Sequence, residues 1–229
     1  MSLRKRIEKS QRLATLVASV AGSYLRVCHR TTKWTVAGLQ DLQNALQDGP
    51  VLLVMWHSRS VMGALHWPVA DGPLSSLYDR SPIGRVSGAL QRSAGLQPME
   101  MSRKLSNRAA SKVVLQRVKE GVSIGMTGDG PLGPALHVKD APLDWARATG
   151  MPVFCYAFST TKGRRLRSWD QMLVPHPFGK GAHVFRRFPG TVPRRLDAAE
   201  REALRDEMCR WMNEVMAEAD ALAGVEVGP

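Results

Sequence analysis

Apolar residues in this chain fall in short continuous runs, separated by segments with helical spacing. The run Pro50–Trp56 (PVLLVMW), entered through Gly49, is apolar throughout and predicts a strand buried on both faces. Val122–Met126 and Pro152–Phe158 read the same way; Leu74–Tyr78, Ala182–Phe188 and the shorter Lys33–Gly38 complete the set of strands. Helical patterns lie between them at Leu39–Gln47, Ser60–Trp67, Gly84–Ala94, Asn107–Glu120 and Leu143–Thr149, the last two stopped by Gly121 and Gly150. Asp197, with Glu200 three residues on, opens a final helix to about Ala223. This alternation predicts an α/β fold: a mostly parallel central sheet flanked by helices, with an amphipathic N-terminal arm and a long C-terminal helix. Pro50–Trp56 and Val122–Met126 are expected to be neighbouring central strands.

The N-terminal pattern has two readings. Leu13, Leu16, Val17, Val20, Tyr24 and Val27 recur at helical spacing, behind a basic collar of Arg4, Lys5, Arg6, Lys9 and Arg12. The uncharged stretch Leu13–Leu25 is 13 residues long, short of the ~20 needed to cross a bilayer core, and no signal-peptide cleavage pattern follows it. The stripe therefore either packs on the domain or lies in a lipid interface. The chain divides into residues 1–32 as a basic arm, 33–195 as the α/β domain, and 196–229 as an acidic helix packed on it.

Composition narrows the class. With 229 residues, 44% of them hydrophobic and 23% charged, the chain can bury a full core and is neither disordered nor collagen-like. Cys28, Cys155 and Cys209 cannot pair completely and match no zinc or redox spacing, so they read as buried thiols. The net charge of +12 is unevenly spread. Residues 1–30 carry seven basic groups against one acid, 78–119 nine against two, and 159–195 nine against one; from Leu196 onward nine acids face three bases. Such a field attracts nucleic acid, an anionic membrane or a phosphorylated substrate. Only 6% aromatic content and no RNA-binding or zinc-finger signature count against specific nucleic-acid recognition.

In parallel sheets ligands bind beyond the carboxyl ends of the strands. There the sequence places Trp56-His57-Ser58-Arg59, Asp79-Arg80-Ser81, and the run Thr127-Gly-Asp129-Gly130-Pro-Leu-Gly133-Pro134. His57 can take a proton near neutral pH, or it can be an interior hydrogen-bonded histidine. Asp129 either reaches the site or closes an Asx turn. The glycine-rich run is not a P-loop, because no Gly-Lys-Ser/Thr follows. Asp79 is a second acid able to orient His57 if the two loops meet. Arg59, Arg80, Arg85, Arg103 and Lys104 are candidates for phosphate contacts, or are solvated surface charges.

From about Val51 to Pro193 the chain resembles the lysophospholipid acyltransferase superfamily. Its nearest likeness is a bacterial branch of unknown function, distantly similar to lipid A late acyltransferases and glycerolphosphate acyltransferases. The resemblance rests on the strand into Trp56-His57, Gly-Asp129-Gly-Pro-Leu-Gly-Pro134, Trp145-Ala-Arg-Ala-Thr-Gly-Met-Pro152, and Ser168-Trp-Asp-Gln-Met-Leu-Val-Pro-His-Pro-Phe178. It implies acyl transfer from acyl-CoA or acyl carrier protein to the hydroxyl of a lipid acceptor. The setting would be the cytoplasmic side of the inner membrane, held peripherally or monotopically, with His57 as general base. The acid usual five residues after the base is here Met62, and the aspartate of an Asp-Gly pair further on is Ile83. The arginine of the following block falls near Glu100, with Arg103 and Lys104 close by. The chemistry asks for no metal or cofactor: a base suffices together with oxyanion stabilisation, which the backbone of the Gly130–Gly133 loop can supply. The alternatives are a catalytically inactive relative that binds anionic lipid, and a basic nucleic-acid-binding protein.

Overall fold

The computed structural model describes residues 11–78, 81–100 and 107–228; for 11–14, 82 and 107–110 the backbone alone is described. Helix α1 (Gln11–Thr31) leads into β1 (Lys33–Ala37), α2 (Leu39–Asp48) and β2 (Leu52–Met55). A single 3-10 turn (His57–Arg59) and the short α3 (Gly63–His66) follow, then β3 (Leu74–Tyr78), α4 (Pro82–Ser93) and β4 (Met99–Glu100). The remainder is α5 (Asn107–Lys119), β5 (Ser123–Thr127), α6 (Asp140–Thr149), β6 (Val153–Thr160), the hairpin β7 (Gly163–Arg165) and β8 (Leu173–Pro175), β9 (Lys180–Arg187) and α7 (Ala198–Ala223).

Seven strands form one sheet in the order β1-β9-β6-β2-β5-β3-β4. The five from β6 to β4 are mutually parallel, and β2 lies between β6 and β5 with Leu52 opposite both Val153 and Ile124. At the other side β9 runs antiparallel to β6, and β1 parallel to β9. The central place of β2 and β5 agrees with their mostly apolar composition, and buried Ser123 of β5 has its hydroxyl satisfied by the Val51 backbone N–H at 3.1 Å.

Alternation along each central strand feeds two cores. Leu52 and Val54, with Cys155 and Ala157 of β6, meet α5, α6 and α7 through Val114, Leu143, Trp145, Met208 and Met212. Leu53 and Met55, with Phe154, Tyr156 and Phe158, meet Leu25 of α1, Leu42 of α2 and Met62. Leu52, Leu53 and Val54 are fully inaccessible, each contributing about 1.5–3 kcal/mol of burial. The capping box expected at the last helix is present: Asp197 accepts from the Glu200 backbone N–H at 2.8 Å, and the Glu200 carboxylate accepts from that of Asp197 at 2.9 Å.

One expectation needs correction, and two open points gain detail. Of the helix expected over Ser60–Trp67 only Gly63–His66 is helical, and the chain leaves β2 through the separate 3-10 turn His57–Arg59 that precedes it. The stripe on α1 is split between the two readings: the Tyr24 hydroxyl donates to the Pro175 carbonyl at 2.9 Å and Val17 is half-buried, whereas other members face outward. Leu16, Val20, Tyr24 and Val27 are exposed at 61%, 67%, 38% and 48%, while Ala18, Leu25 and Cys28 face inward. Finally, the basic groups of 159–195 are not equally available to a partner. Arg186 forms an ion pair with Glu218 of α7 and Arg165 turns toward the C-terminal segment, leaving Arg164 and Arg167 exposed.

Candidate active site

Two strand ends build the site. His57 leaves β2 in the 3-10 turn, and Asp129 leaves β5 two residues beyond Thr127, the last residue of that strand. Because β2 and β5 are parallel neighbours with Met55 opposite Thr127, both side chains emerge at the same edge. His57 Nδ1 lies 2.7 Å from Asp129 Oδ1, and the same oxygen accepts from the His57 backbone N–H at 3.2 Å. The imidazole is about one-fifth exposed, whereas the carboxylate is 1% exposed. Its Oδ2 is buried with no hydrogen-bond partner among the described residues.

This geometry sets the proton positions. A carboxylate only accepts, so Nδ1 carries the hydrogen and Nε2 of the neutral ring keeps its lone pair. Thr127 Oγ1 lies 3.2 Å from Nε2 and is placed to donate to it. The Trp169 ring meets the His57 ring edge to face at 5.2 Å and remains 43% exposed. Trp169 also explains Gly133, where φ is +65° and a Cβ would come within 2.7 Å of the indole, so no side chain fits. Gly130 likewise has φ +64°. The loop is closed at its base by Lys139 N–H donating to the Gly128 carbonyl at 2.8 Å.

The other candidates separate. Asp79, Arg80, Arg103 and Lys104 lie outside the described residues. Arg85 is half-buried in the first turns of α4. Arg59, expected as a phosphate contact, is instead a wholly buried internal residue: its guanidinium grips Asp220 of α7 at 2.8 and 2.9 Å. Met62 is fully buried in the apolar core and Ile83 is 80% exposed on α4; the acid beside His57 is Asp129, two residues past the end of β5. Sequence reading missed Thr127 and Asp220. Strand alternation was a usable signal for Thr127, which stands two residues before Asp129 on the same side of the chain. Nothing local marks Asp220.

A second histidine group went unrecognised in the sequence, where α1 meets the sheet. His66 Nδ1 lies 2.7 Å from the Tyr156 hydroxyl, and its ring stacks on His183 at 4.0 Å with His29 at 5.3 Å and Trp34 at 4.5 Å. Burial, then the neighbouring imidazoles, hold His66 well below the usual histidine range. Burial and His29 push His183 down to about 4, and burial and Arg30 lower His29. These rings are neutral packing elements at ordinary pH.

Among the described residues no group of three or more His, Cys, Asp or Glu could hold a metal ion, and no helix is long and apolar enough to cross a membrane. No family model matches the chain. Over 182 residues, 78% of this chain and 82% of the other, the sequence is 26% identical to an uncharacterized protein of Rickettsia prowazekii (strain Madrid E). That name assigns no activity, and the functional reading rests on the site itself.

Proposed function

We propose that the protein is a membrane-associated O-acyltransferase, moving a fatty acyl chain from acyl-CoA or acyl carrier protein to a hydroxyl of a lysophospholipid-like acceptor. The observation that carries this reading is the His57–Asp129 pair, set at the carboxyl ends of two adjacent parallel strands with Nδ1 on the carboxylate and the ring partly open. Thr127 Oγ1 marks the side from which an acceptor hydroxyl approaches Nε2. In the reaction His57 Nε2 takes the hydroxyl proton as the acceptor oxygen attacks the thioester carbonyl. Asp129 stabilises the imidazolium through Nδ1–H. The tetrahedral intermediate then expels the thiolate, which recovers the proton from Nε2, leaving an ester and a free thiol. In the resemblance to the lysophospholipid acyltransferase superfamily Asp129 matches the acidic position of the third block, and it is the acid that reaches His57 here.

The lipid side of the reading is supported by the outer face of α1. Its exposed apolar ridge, Leu16, Val20, Tyr24 and Val27, runs toward Phe178, which is 72% exposed and whose backbone N–H donates to Thr31 Oγ1 at 3.2 Å. Exposed Arg30, Lys33, Lys162 and Lys180 flank that end, with Lys33 and Lys180 in register across β1 and β9. An apolar ridge rimmed by cations suits an anionic membrane surface. This face favours a second reading, a lipid-surface protein without catalysis. The test is incubation of purified protein with labelled acyl-CoA and mixed lysolipids. Acylated lipid from the unaltered protein and none from His57→Ala supports transfer; equal, background-level signal from both leaves the lipid-surface reading.

A further inference from the structure

Arg59 and Asp220 form a buried ion pair that the chemistry above does not use. Both are 0% exposed, and burying two charges rarely gains stability over an apolar pair of similar volume. What the pair supplies is direction. Arg59 Nη1 donates to the Phe158 carbonyl at 3.1 Å and to Asp220 Oδ1 at 2.8 Å, while Nη2 donates to Asp220 Oδ2 at 2.9 Å and to the Gly228 carbonyl. The guanidinium plane is thereby tied at once to the end of β6, the last turn of α7 and the segment beyond it.

The tether acts on a short lever. Arg59 ends the 3-10 turn that His57 begins, and its own backbone N–H donates to the Trp56 carbonyl at 3.0 Å. The His57 carbonyl accepts from Ser60 twice, from the backbone N–H at 3.1 Å and from Oγ at 2.9 Å. The His57 peptide is therefore held on one side by Asp129 and on the other by a turn whose exit is fixed through Arg59. Arg165, whose Nη2 also donates to the Gly228 carbonyl at 3.3 Å, brings a second guanidinium to this cluster. Asp220 pairs with Arg59 and attracts Arg165 as well, one carboxylate against two guanidinium groups.

We propose that Arg59 and Asp220 are positioning residues for His57, holding the turn so that its Nδ1 stays on Asp129 and Nε2 faces the acceptor side. This rests on the reading of His57 as the base, but its geometric content is independent of turnover. The test uses the full chain with nitrogen-15 histidine, following the Nδ1–H resonance and tautomer of His57 by NMR beside thermal melting. Three forms are compared: unaltered protein, Asp220→Asn, and the apolar pair Arg59→Met/Asp220→Leu. A merely structural role predicts that the apolar pair restores both the melting temperature and the His57 signal. Positioning predicts that it restores the melt alone. The Nδ1–H resonance then stays shifted or exchange-broadened, the tautomers mix, and acyl transfer, where measured, drops by at least about tenfold in kcat with KM within about twofold. Arg59→Lys, which keeps the charges but loses the two-pronged fork, carries the same measurement if the apolar pair does not fold. A His57 resonance unchanged in a folded variant overturns the proposal. A perturbed resonance in a protein that never transfers acyl groups leaves the positioning intact and sinks the acyltransferase reading instead.

Discussion

A single oxygen, Asp129 Oδ1, accepts from both the ring Nδ1 and the backbone N–H of His57, at 2.7 and 3.2 Å. Side chain and main chain are thus held by one atom, and rotation of the ring away from Asp129 breaks only the first contact. The acid therefore fixes both the tautomer and the place of the base. Asp129→Asn keeps the shape but replaces an acceptor-only group with one that can also donate. It should lower acyl transfer about 100-fold, and His57→Ala about 1,000-fold, within the range for loss of a positioned base. Initial rates with labelled acyl-CoA check this; a His57→Ala rate equal to that of the unaltered protein removes the base.

The histidine group between α1 and the sheet should make stability acid-sensitive. His183 and His66 have lowered folded-state values, so protons bind the unfolded chain preferentially. Their contribution is complete above the unfolded value near 6.5 and is lost as pH falls from there toward about 4, the folded value of His183. The groups facing these rings are His29 of α1, the Tyr156 hydroxyl of β6, and Arg30 at the helix end. His183 alone accounts for about 3 kcal/mol at full protonation of the unfolded state. Urea midpoints at pH 7.5 and 5 should differ, and His183→Phe should shrink the difference; an unchanged pH dependence in that variant counts against the assignment.

Gly133→Ala should destabilise the loop from two directions, a positive φ and an indole in the way. Strain of this kind costs about 1–3 kcal/mol, which at this chain length lowers the melting temperature by roughly 2–10 °C. Trp169→Ala combined with Gly133→Ala removes the clash and should recover about half of that loss. Melting curves of the three variants decide it. Additive losses in the double variant would place the strain in the backbone alone.

Liposome flotation tests the outer face of α1. Binding should rise with anionic lipid and weaken in high salt. Val20→Ser and Phe178→Ser should each reduce it several-fold, since each removes apolar area that reaches the acyl boundary without touching the core. Variants that leave flotation unchanged while the protein shifts DNA or RNA at physiological salt would turn the basic surface over to nucleic acid.

Local sequence determined the elements, because the period of the apolar positions and the caps act within a few residues. The mostly apolar runs marked buried strands, and β2 and β5 pair in parallel near the centre of the sheet. Asp197 and Glu200 fixed the start of α7. The carboxyl-end rule brought His57 and Asp129 forward as candidates, since parallel strands deliver their ends to one edge. Tertiary structure alone decided what each face meets. The α1 stripe has helical periodicity whether it packs inward or outward, and only the placement of α1 beside α4 and the sheet turned Ala18, Leu25 and Cys28 in and Leu16 and Val20 out. Arg59 reads as a surface cation until α7 brings Asp220, 161 residues away in the chain, against it. His29, His66 and His183 carry no shared spacing; the meeting of α1, α3 and β9 makes them one group. Periodicity encodes that a residue is buried or exposed relative to its own element, while the strand order and crossovers, set by the whole chain's packing, choose its partner.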